Sequence, residues 1–467
     1  MHPFATDSRP VGRTTLGLLA LLLALAAAVL LAGGAAAGKK PALVAPAPFH
    51  RVPAGIKALS FPPDTDYCLA NFGIRCYQPA QLQKAYDVGP LFAHHIDGHG
   101  QTIVIVDSFG SPTIKNDLHV FDQTFGLPDP PSLKIYQPAG PVPPFDPTDD
   151  DMAGWAEETT LDVEWSHVFA PGANIVLLET PVSETEGVTG FPEIVKAENW
   201  AINNGIGDVI SMSFGATEQT FPNAQSVYNL RSAFINAARH HVALLSSSGD
   251  AGATDYELNL EDLYPFRVTS WPTSDPLVTS IGGTQLTLDE NGNRLTPDVV
   301  WNDPYGAGGG GRSIFFSRPD FQDPVRYAVH HSRGVPDISM SAAVDGGVVV
   351  YYSFVSDSAT PGYHIFGGTS ESSPEFAGVV ALADQIKHGR IGDLNQAIYD
   401  LNGRPHNGIV DVTQGNNSIT FENSDGNTYT VDGFDAVPGY DLASGVGTVD
   451  VSKFAPALAA VAQQHHW

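Results

Sequence analysis

Thr102-Ile103-Val104-Ile105-Val106-Asp107 is a near-continuous apolar run that ends in an acid. A segment apolar at every position, and not at every second one, describes a strand covered on both faces, as in a parallel sheet. Such a strand delivers Asp107 to its carboxyl end, where sites in open α/β sheets collect. Asn174-Ile175-Val176-Leu177-Leu178-Glu179 repeats the pattern, and residues 209–213 and 242–246 follow it. Helical spacing fills the intervals over 158–169, 193–203 and 223–240. Strands alternating with helices call for an α/β fold in three layers, a mostly parallel central sheet with helices on both faces. No fixed-period repeat and no internal boundary interrupts 61–467, which reads as one domain.

The 467 residues begin differently. Arg9 and Arg13 precede an almost purely Leu, Ala, Val and Gly run over 16–37, which closes on Ala32-Gly33-Gly34-Ala35-Ala36-Ala37. A basic start, an apolar core and a small-residue end are the three parts of a secretory signal. The run is also long enough to span a bilayer, so 1–37 is expected to be a signal peptide cleaved near Ala37 or a retained anchor. Either way the rest of the chain lies outside the cytoplasm. Residues 38–60 are rich in Pro and Ala and read as a flexible linker.

Fifty-one acidic against 23 basic residues leave a formal charge of -28. A surface of that sign repels a phosphate backbone and excludes nucleic acid as a partner. It suits work below neutral pH, where carboxylates take up protons and the 16 histidines become charged. Cys68 and Cys76 are either a local disulfide, if the compartment is oxidising, or two buried thiols.

Four carboxylates and one serine stand in positions that can carry chemistry. Ser370 follows Gly367-Gly368-Thr369 and opens a small, apolar helix with an early Pro374, a proline expected in its first turn. A serine there is an ordinary N-cap or a nucleophile that gains from the helix dipole, and the two glycines permit another backbone to approach. Glu158 and Asp162 are four residues apart on one helix face, so they can share a proton and make one carboxylate a base in acid. The alternative is a pair of acids favourably placed in a first turn. Asp250, in Ser248-Gly249-Asp250-Ala251-Gly252, follows a strand, as Asp107 does; each is a site candidate or a turn residue. Asp411-Val412 and Val437-Pro438-Gly439-Tyr440-Asp441 combine carboxylates with glycine-rich turns, the donor types of an oxygen-ligand calcium site, without the repeating Asp-x-Asp-x-Asp-Gly loop. No zinc spacing, Walker loop or dinucleotide fingerprint is present, and His94, His95 and His99 read as surface loop residues.

Together these segments resemble the sedolisins, serine-carboxyl peptidases with a subtilisin-like fold. The resemblance runs from Tyr77-Gln78-Pro79-Ala80 to Gly447. It implies that Ser370 is the nucleophile, Glu158 the general base, Asp162 its partner and Asp250 an oxyanion-stabilising acid, acting on protein or peptide substrates. Ser211-Met212-Ser213-Phe214-Gly215 with Glu218 would line the substrate cleft. One structural Ca²⁺ would be bound by the side chains of Asp411 and Asp441 and the carbonyls of Val412, Val437 and Gly439. Two departures stand out. The family's precursors carry a long prodomain, whereas only a short stretch separates 1–37 from Tyr77; the chain is then expected to work without pro-segment release, to fold by another route, or to have lost activity. Glu371 stands beside the nucleophile where the family has a small residue, and its charge would oppose an oxyanion unless protonated or turned away. Two other readings are a catalytically silent extracellular binding protein and an esterase; for the esterase, Ser372 occupies the last glycine position of the Gly-x-Ser-x-Gly elbow.

Overall fold

The computed structural model describes residues 1, 51, 53 and 56–464. The fold concerns the unit Pro41–Trp467; the expected signal or anchor over 1–37 lies outside the described residues, as does most of the expected linker.

A central sheet is built from β1 Thr102–Ser108, β2 Leu133–Tyr136, β3 Asn174–Thr180, β4 Val209–Met212, β5 Ala243–Ser247, β6 Thr279–Gln285, β7 Val299–Val300 and β8 Ile338–Ser341. Its spatial order is β7-β6-β5-β4-β1-β3-β2, with β8 beside β6. Every pairing is parallel except β7 with β6. The opening apolar run is therefore the middle of the sheet, and residues 103–106 are wholly buried, as the pattern requires. Register sets Asp107 opposite Glu179 at the carboxyl ends of β1 and β3.

Around the sheet lie α1 Ile114–Phe125, α2 Asp150–Phe169, α3 Phe191–Asn203, α4 Ser232–His240, α5 Thr369–Lys387 and α6 Val451–Gln464. The α2 helix begins eight residues earlier than its apolar pattern indicates, because the Asp149 side chain accepts from the N–H groups of Asp151 and Met152. The helix expected over 223–240 is two, Ala224–Leu230 and α4, separated at Arg231. There the guanidinium turns to Asp275, with Nε–Oδ2 at 2.6 Å and Nη2–Oδ1 at 2.8 Å.

Two helices decide the site. Residues 369–384 of α5 are buried, and α5 packs along α2. Gly378 makes this approach possible, since a Cβ there would come within 2.5 Å of the Phe169 Cβ. Pro374 lies inside α5 and not in its first turn. The proline has no N–H to give to the carbonyl four residues back, that of Ser370.

A hairpin, β9 Gly347–Tyr352 and β10 Gly362–Phe366, flanks the entry to α5. Leu59 pairs with Tyr363, and Arg51 with Gly367, so parts of the stretch read as linker are hydrogen-bonded to the domain. Cys68 and Cys76 are joined as a disulfide.

Candidate active site

Ser370 is the second residue of α5 and is wholly buried. The chain reaches it through Gly368 at φ +113°, a conformation that L side chains rarely adopt. Its hydroxyl donates to the Ser213 carbonyl at 3.3 Å. Ser213 immediately follows β4, and its own hydroxyl donates to Asp162 Oδ1 at 2.8 Å. One residue at a strand end thus joins the serine of α5 to the acid pair of α2.

Asp162 and Glu158 are wholly buried and hydrogen-bonded to each other. Burial, followed by the charges of Glu158 and Asp107, holds the Asp162 carboxyl well above the usual range. Asp107 is raised in the same way, by burial and then by Glu158. Glu158 is the common electrostatic neighbour of Asp107, Asp162 and Asp250. Raised this far, the Asp107 and Asp162 carboxyls keep their protons well above the usual carboxylate range.

Asp250 follows β5, and its Oδ1 accepts from the Thr369 N–H at 2.7 Å and the Thr369 hydroxyl at 2.8 Å. Both donors come from the residue before Ser370. Burial pushes the Asp250 carboxyl up to about 7, against the lowering effects of Arg51 and Thr369. Glu371 is also wholly buried, and burial keeps it protonated far above the usual range, helped by the charge on Asp250. A neutral Glu371 removes the conflict with an oxyanion. Glu375, one turn on, is held protonated by burial and by Glu371.

Glu218 is a buried anchor: Ser274, Ser313 and the Ile314 N–H donate to it, and burial raises it to about 7. Asp411 accepts from the Gly439 N–H at 2.9 Å, and Asp441 from the Val437 N–H at 2.9 Å. These bonds draw the segments 411–412 and 437–441 into one loop cluster, with Asp411 exposed. Two residues at the site went unmarked in the sequence: Thr369, which aims Asp250, and Arg51, which lies against Asp250 with Nε–Oδ2 at 3.6 Å. No motif signals Arg51, because its place depends on a chain pairing with Gly367 across the whole sequence.

The subtilase family matches residues 151–398, just over half of the chain and the segment that holds α2, β4, β5 and α5. The chain belongs to the subtilase family, in its sedolisin branch. Kumamolisin of Bacillus sp. (strain MN-32) is 30% identical over 387 residues, covering 80% of this chain and 62% of kumamolisin. Sedolisin of Pseudomonas sp. (strain 101) is 30% identical over 279 residues, covering 57% of this chain and 43% of sedolisin. The chain therefore spans less than two thirds of either curated relative. A solved structure of Pseudomonas sedolisin, a serine-carboxyl proteinase complexed with two molecules of pseudo-iodotyrostatin, superposes with a TM-score of 0.68 at 26% identity. That match covers 84% of this chain and 100% of the sedolisin chain, and a mostly parallel sheet with surrounding helices is common to both. In this sedolisin-branch subtilase the order of parts along the chain is acid pair, strand-end serine, strand-end aspartate, nucleophile candidate.

Proposed function

We propose that the chain is an acid-acting serine-type endopeptidase that hydrolyses protein or peptide substrates through an acyl-enzyme. The observation that carries this reading is the convergence on Ser370 of Ser213, the Glu158–Asp162 pair and the Thr369–Asp250 contact. Sedolisin-branch relatives support it.

Glu158, as carboxylate, takes the Ser370 hydroxyl proton while the Ser370 oxygen bonds to the peptide carbonyl carbon. Asp162 accepts from Ser213 and shares a proton with Glu158, which orients the base as histidine's partner does in other serine peptidases. The developing oxyanion is met by the Ser370 N–H and by Asp250. The Oδ1 of Asp250 is occupied by two donors, so its proton belongs on Oδ2, the one oxygen able to donate. Collapse breaks the C–N bond, and the proton held by Glu158 leaves with the amine. Water then attacks the ester with Glu158 again as base, restoring Ser370. The route needs Glu158 as the carboxylate and Asp250 protonated, and Asp250, raised to about 7 by burial, holds its proton below that value.

The loops 411–412 and 437–441 are proposed to hold one Ca²⁺ through Asp411, Asp441 and the carbonyls of Val412, Val437 and Gly439. Its role there is to tie two C-terminal loops together, with no step of the reaction passing through it. Export is supported by the composition of 1–37, and among the described residues no helix is long and apolar enough to cross a membrane.

Digestion of a denatured protein between about pH 3 and 5, where carboxyls near their reference values still take up protons, tests the reading. Ser370→Ala should lower turnover by about 10⁴-fold or more with an unchanged circular dichroism spectrum. Turnover by the variant at the wild-type rate would reject Ser370 as nucleophile.

A further inference from the structure

Past the carboxyl ends of β1 and β3 lies a cavity of about 260 Å³, to which no residue of the proposed reaction contributes. Its apolar wall is formed by Phe109, Val142, Phe145 and Met152, with Pro143 and Pro144 exposed at the rim. Its polar lining includes Ser111 and Glu179, which are 5% and 7% exposed. The Ser111 hydroxyl oxygen is buried and has no hydrogen-bond partner among the described residues. Glu179 gives Oε2 to the Gln137 amide at 2.7 Å. Its other oxygen lies so close to Gly110 that a Cβ there would collide with it, and Gly110 holds φ +76°, which a glycine adopts without strain. Burial raises the Glu179 carboxyl, against the lowering effects of Gln137 and Lys115, so in acid it is neutral and can donate as well as accept. A buried hydroxyl left unpaired costs free energy that a hydrogen-bonding ligand would recover.

The cavity stands within reach of a bound substrate. Glu179 is opposite Asp107 in the register of the sheet, and Asp107 is an electrostatic neighbour of Glu158. Met152 precedes Glu158 on α2 by six residues, about 9 Å along the helix axis. An extended peptide advances about 3.3 Å per residue, so a side chain in the cavity is roughly three residues from the bond being cut. The volume is below the roughly 300–1,000 Å³ of pockets that engulf a whole small molecule, and suits one large side chain. An apolar wall with a polar end matches a ring that carries a hydroxyl. A cationic side chain gains nothing from a neutral Glu179.

We infer that this cavity is a subsite for a tyrosine side chain of the peptide substrate, its ring packed among Phe109, Val142, Phe145 and Met152 and its hydroxyl bonded to Ser111 and Glu179. The inference rests on the peptidase reading and adds to it a substrate preference set away from the scissile bond. A phenol both donates and accepts, as the serine hydroxyl and the protonated carboxyl require. Ser111 and Glu179 select the side chain and touch no reacting atom.

The test uses the full chain, its Ser111→Ala, Val142→Trp and Ser370→Ala variants, and peptides with a tyrosine placed in turn at each position on either side of the scissile bond. Each peptide is paired with its phenylalanine and alanine counterparts. At one position kcat/KM should favour Tyr over Phe by about tenfold, the effect of pairing a buried hydroxyl. Phe should exceed Ala there by about tenfold or more, for the buried ring. Ser111→Ala should bring the Tyr-to-Phe ratio at that position toward one. Val142→Trp, which fills the cavity from a half-buried loop position, should reduce the preference for either ring over Ala. Dissociation constants of the same peptides for Ser370→Ala read the subsite apart from the chemistry. Equal kcat/KM for Tyr, Phe and Ala at every position overturns the inference and leaves the peptidase reading intact. A tyrosine preference that neither Ser111→Ala nor Val142→Trp reduces overturns it too, because the selecting residues then lie elsewhere. Tighter binding of the tyrosine peptide to Ser370→Ala, with no peptide cleaved by the unsubstituted chain, supports the subsite and rejects the peptidase reading.

Discussion

The Thr369 N–H and hydroxyl both donate to Asp250 Oδ1, at 2.7 Å and 2.8 Å, so the residue before Ser370 fixes which oxygen of the aspartate can hold a proton. The bond ties the end of β5 to the start of α5. Under the proposed mechanism, the protonation state of Asp250 is a direct condition of oxyanion stabilisation.

Asp250→Asn is therefore a discriminating substitution. An amide can accept from Thr369 with its oxygen and donate to the oxyanion with its nitrogen at every pH. The variant should keep measurable kcat and lose the fall in rate near pH 7 that ionisation of Asp250 imposes, the value burial gives this group. Asp250→Ala should lower kcat by roughly 10²–10³, the usual effect of removing one oxyanion donor. A kcat–pH profile of the three proteins checks both outcomes.

The spacing of α2 and α5 is set by Gly378. With the Phe169 Cβ 2.5 Å from the position of an added methyl, Gly378→Ala must push the helices apart. The expected destabilisation is about 1–3 kcal/mol, typical of an overpacked interior. Glu158 and Ser370 ride on different helices, so kcat should fall more than unfolding midpoints indicate. Urea denaturation and initial rates on the same preparation measure the two effects separately.

Stability should fall as the pH rises from acid to alkaline. Burial raises Glu198 and Asp122 to about 8, and holds Glu164, Glu371, Glu375 and Asp384 well above their usual values. Carboxyls raised in the folded state bind more protons than the unfolded chain does. Their contribution is fully present below about pH 4 and is lost as pH rises toward about 8. For Glu198 alone, wholly buried, this amounts to on the order of 5 kcal/mol. His167, pushed down to about 4 by burial, acts the other way between pH 4 and 6.5. So do His364, lowered by burial, and Asp146, Asp262, Asp289 and Asp425, lowered by hydrogen bonds, but the buried acids carry the larger shifts. Thermal melts across this range should show Tm decreasing; a Tm that climbed steadily to pH 8 would contradict the burial of these acids.

Chelation tests the loop cluster at Asp411 and Asp441. Removing Ca²⁺ should lower Tm, by an amount corresponding to about 3 kcal/mol if the ion is present at a hundred times its dissociation constant. Asp411→Ala, an exposed position, should melt near the chelated protein and show no response to added Ca²⁺. An identical Tm with and without the ion would remove the site.

The strands that built the sheet in the sequence were those buried on both faces, for which composition alone suffices. The runs ending at Asp107 and Glu179 are of this kind, and their register is adjacent in the fold. The strands β6 and β8 escaped notice because Thr279-Ser280-Ile281-Gly282-Gly283 and Ile338-Ser339-Met340-Ser341 are too small and polar to stand out. The glycines of β6 are needed for packing against β8: a Cβ on Gly282 would lie 2.4 Å from Ser339 Oγ. At the site, motif-borne residues were legible because each sits in a short local pattern. The roles of Arg51 and Thr369 were not, since their partner Asp250 lies far from each along the chain, 119 residues from Thr369.

Glu371 and Glu375 bring the chemistry of the site and the endurance of the fold under one condition. Both are wholly buried on the helix that carries Ser370. The proposed acid-acting peptidase would have an expiry outside an acidic setting. Swept into neutral surroundings, it would be retired by its own interior, with no dedicated inhibitor required.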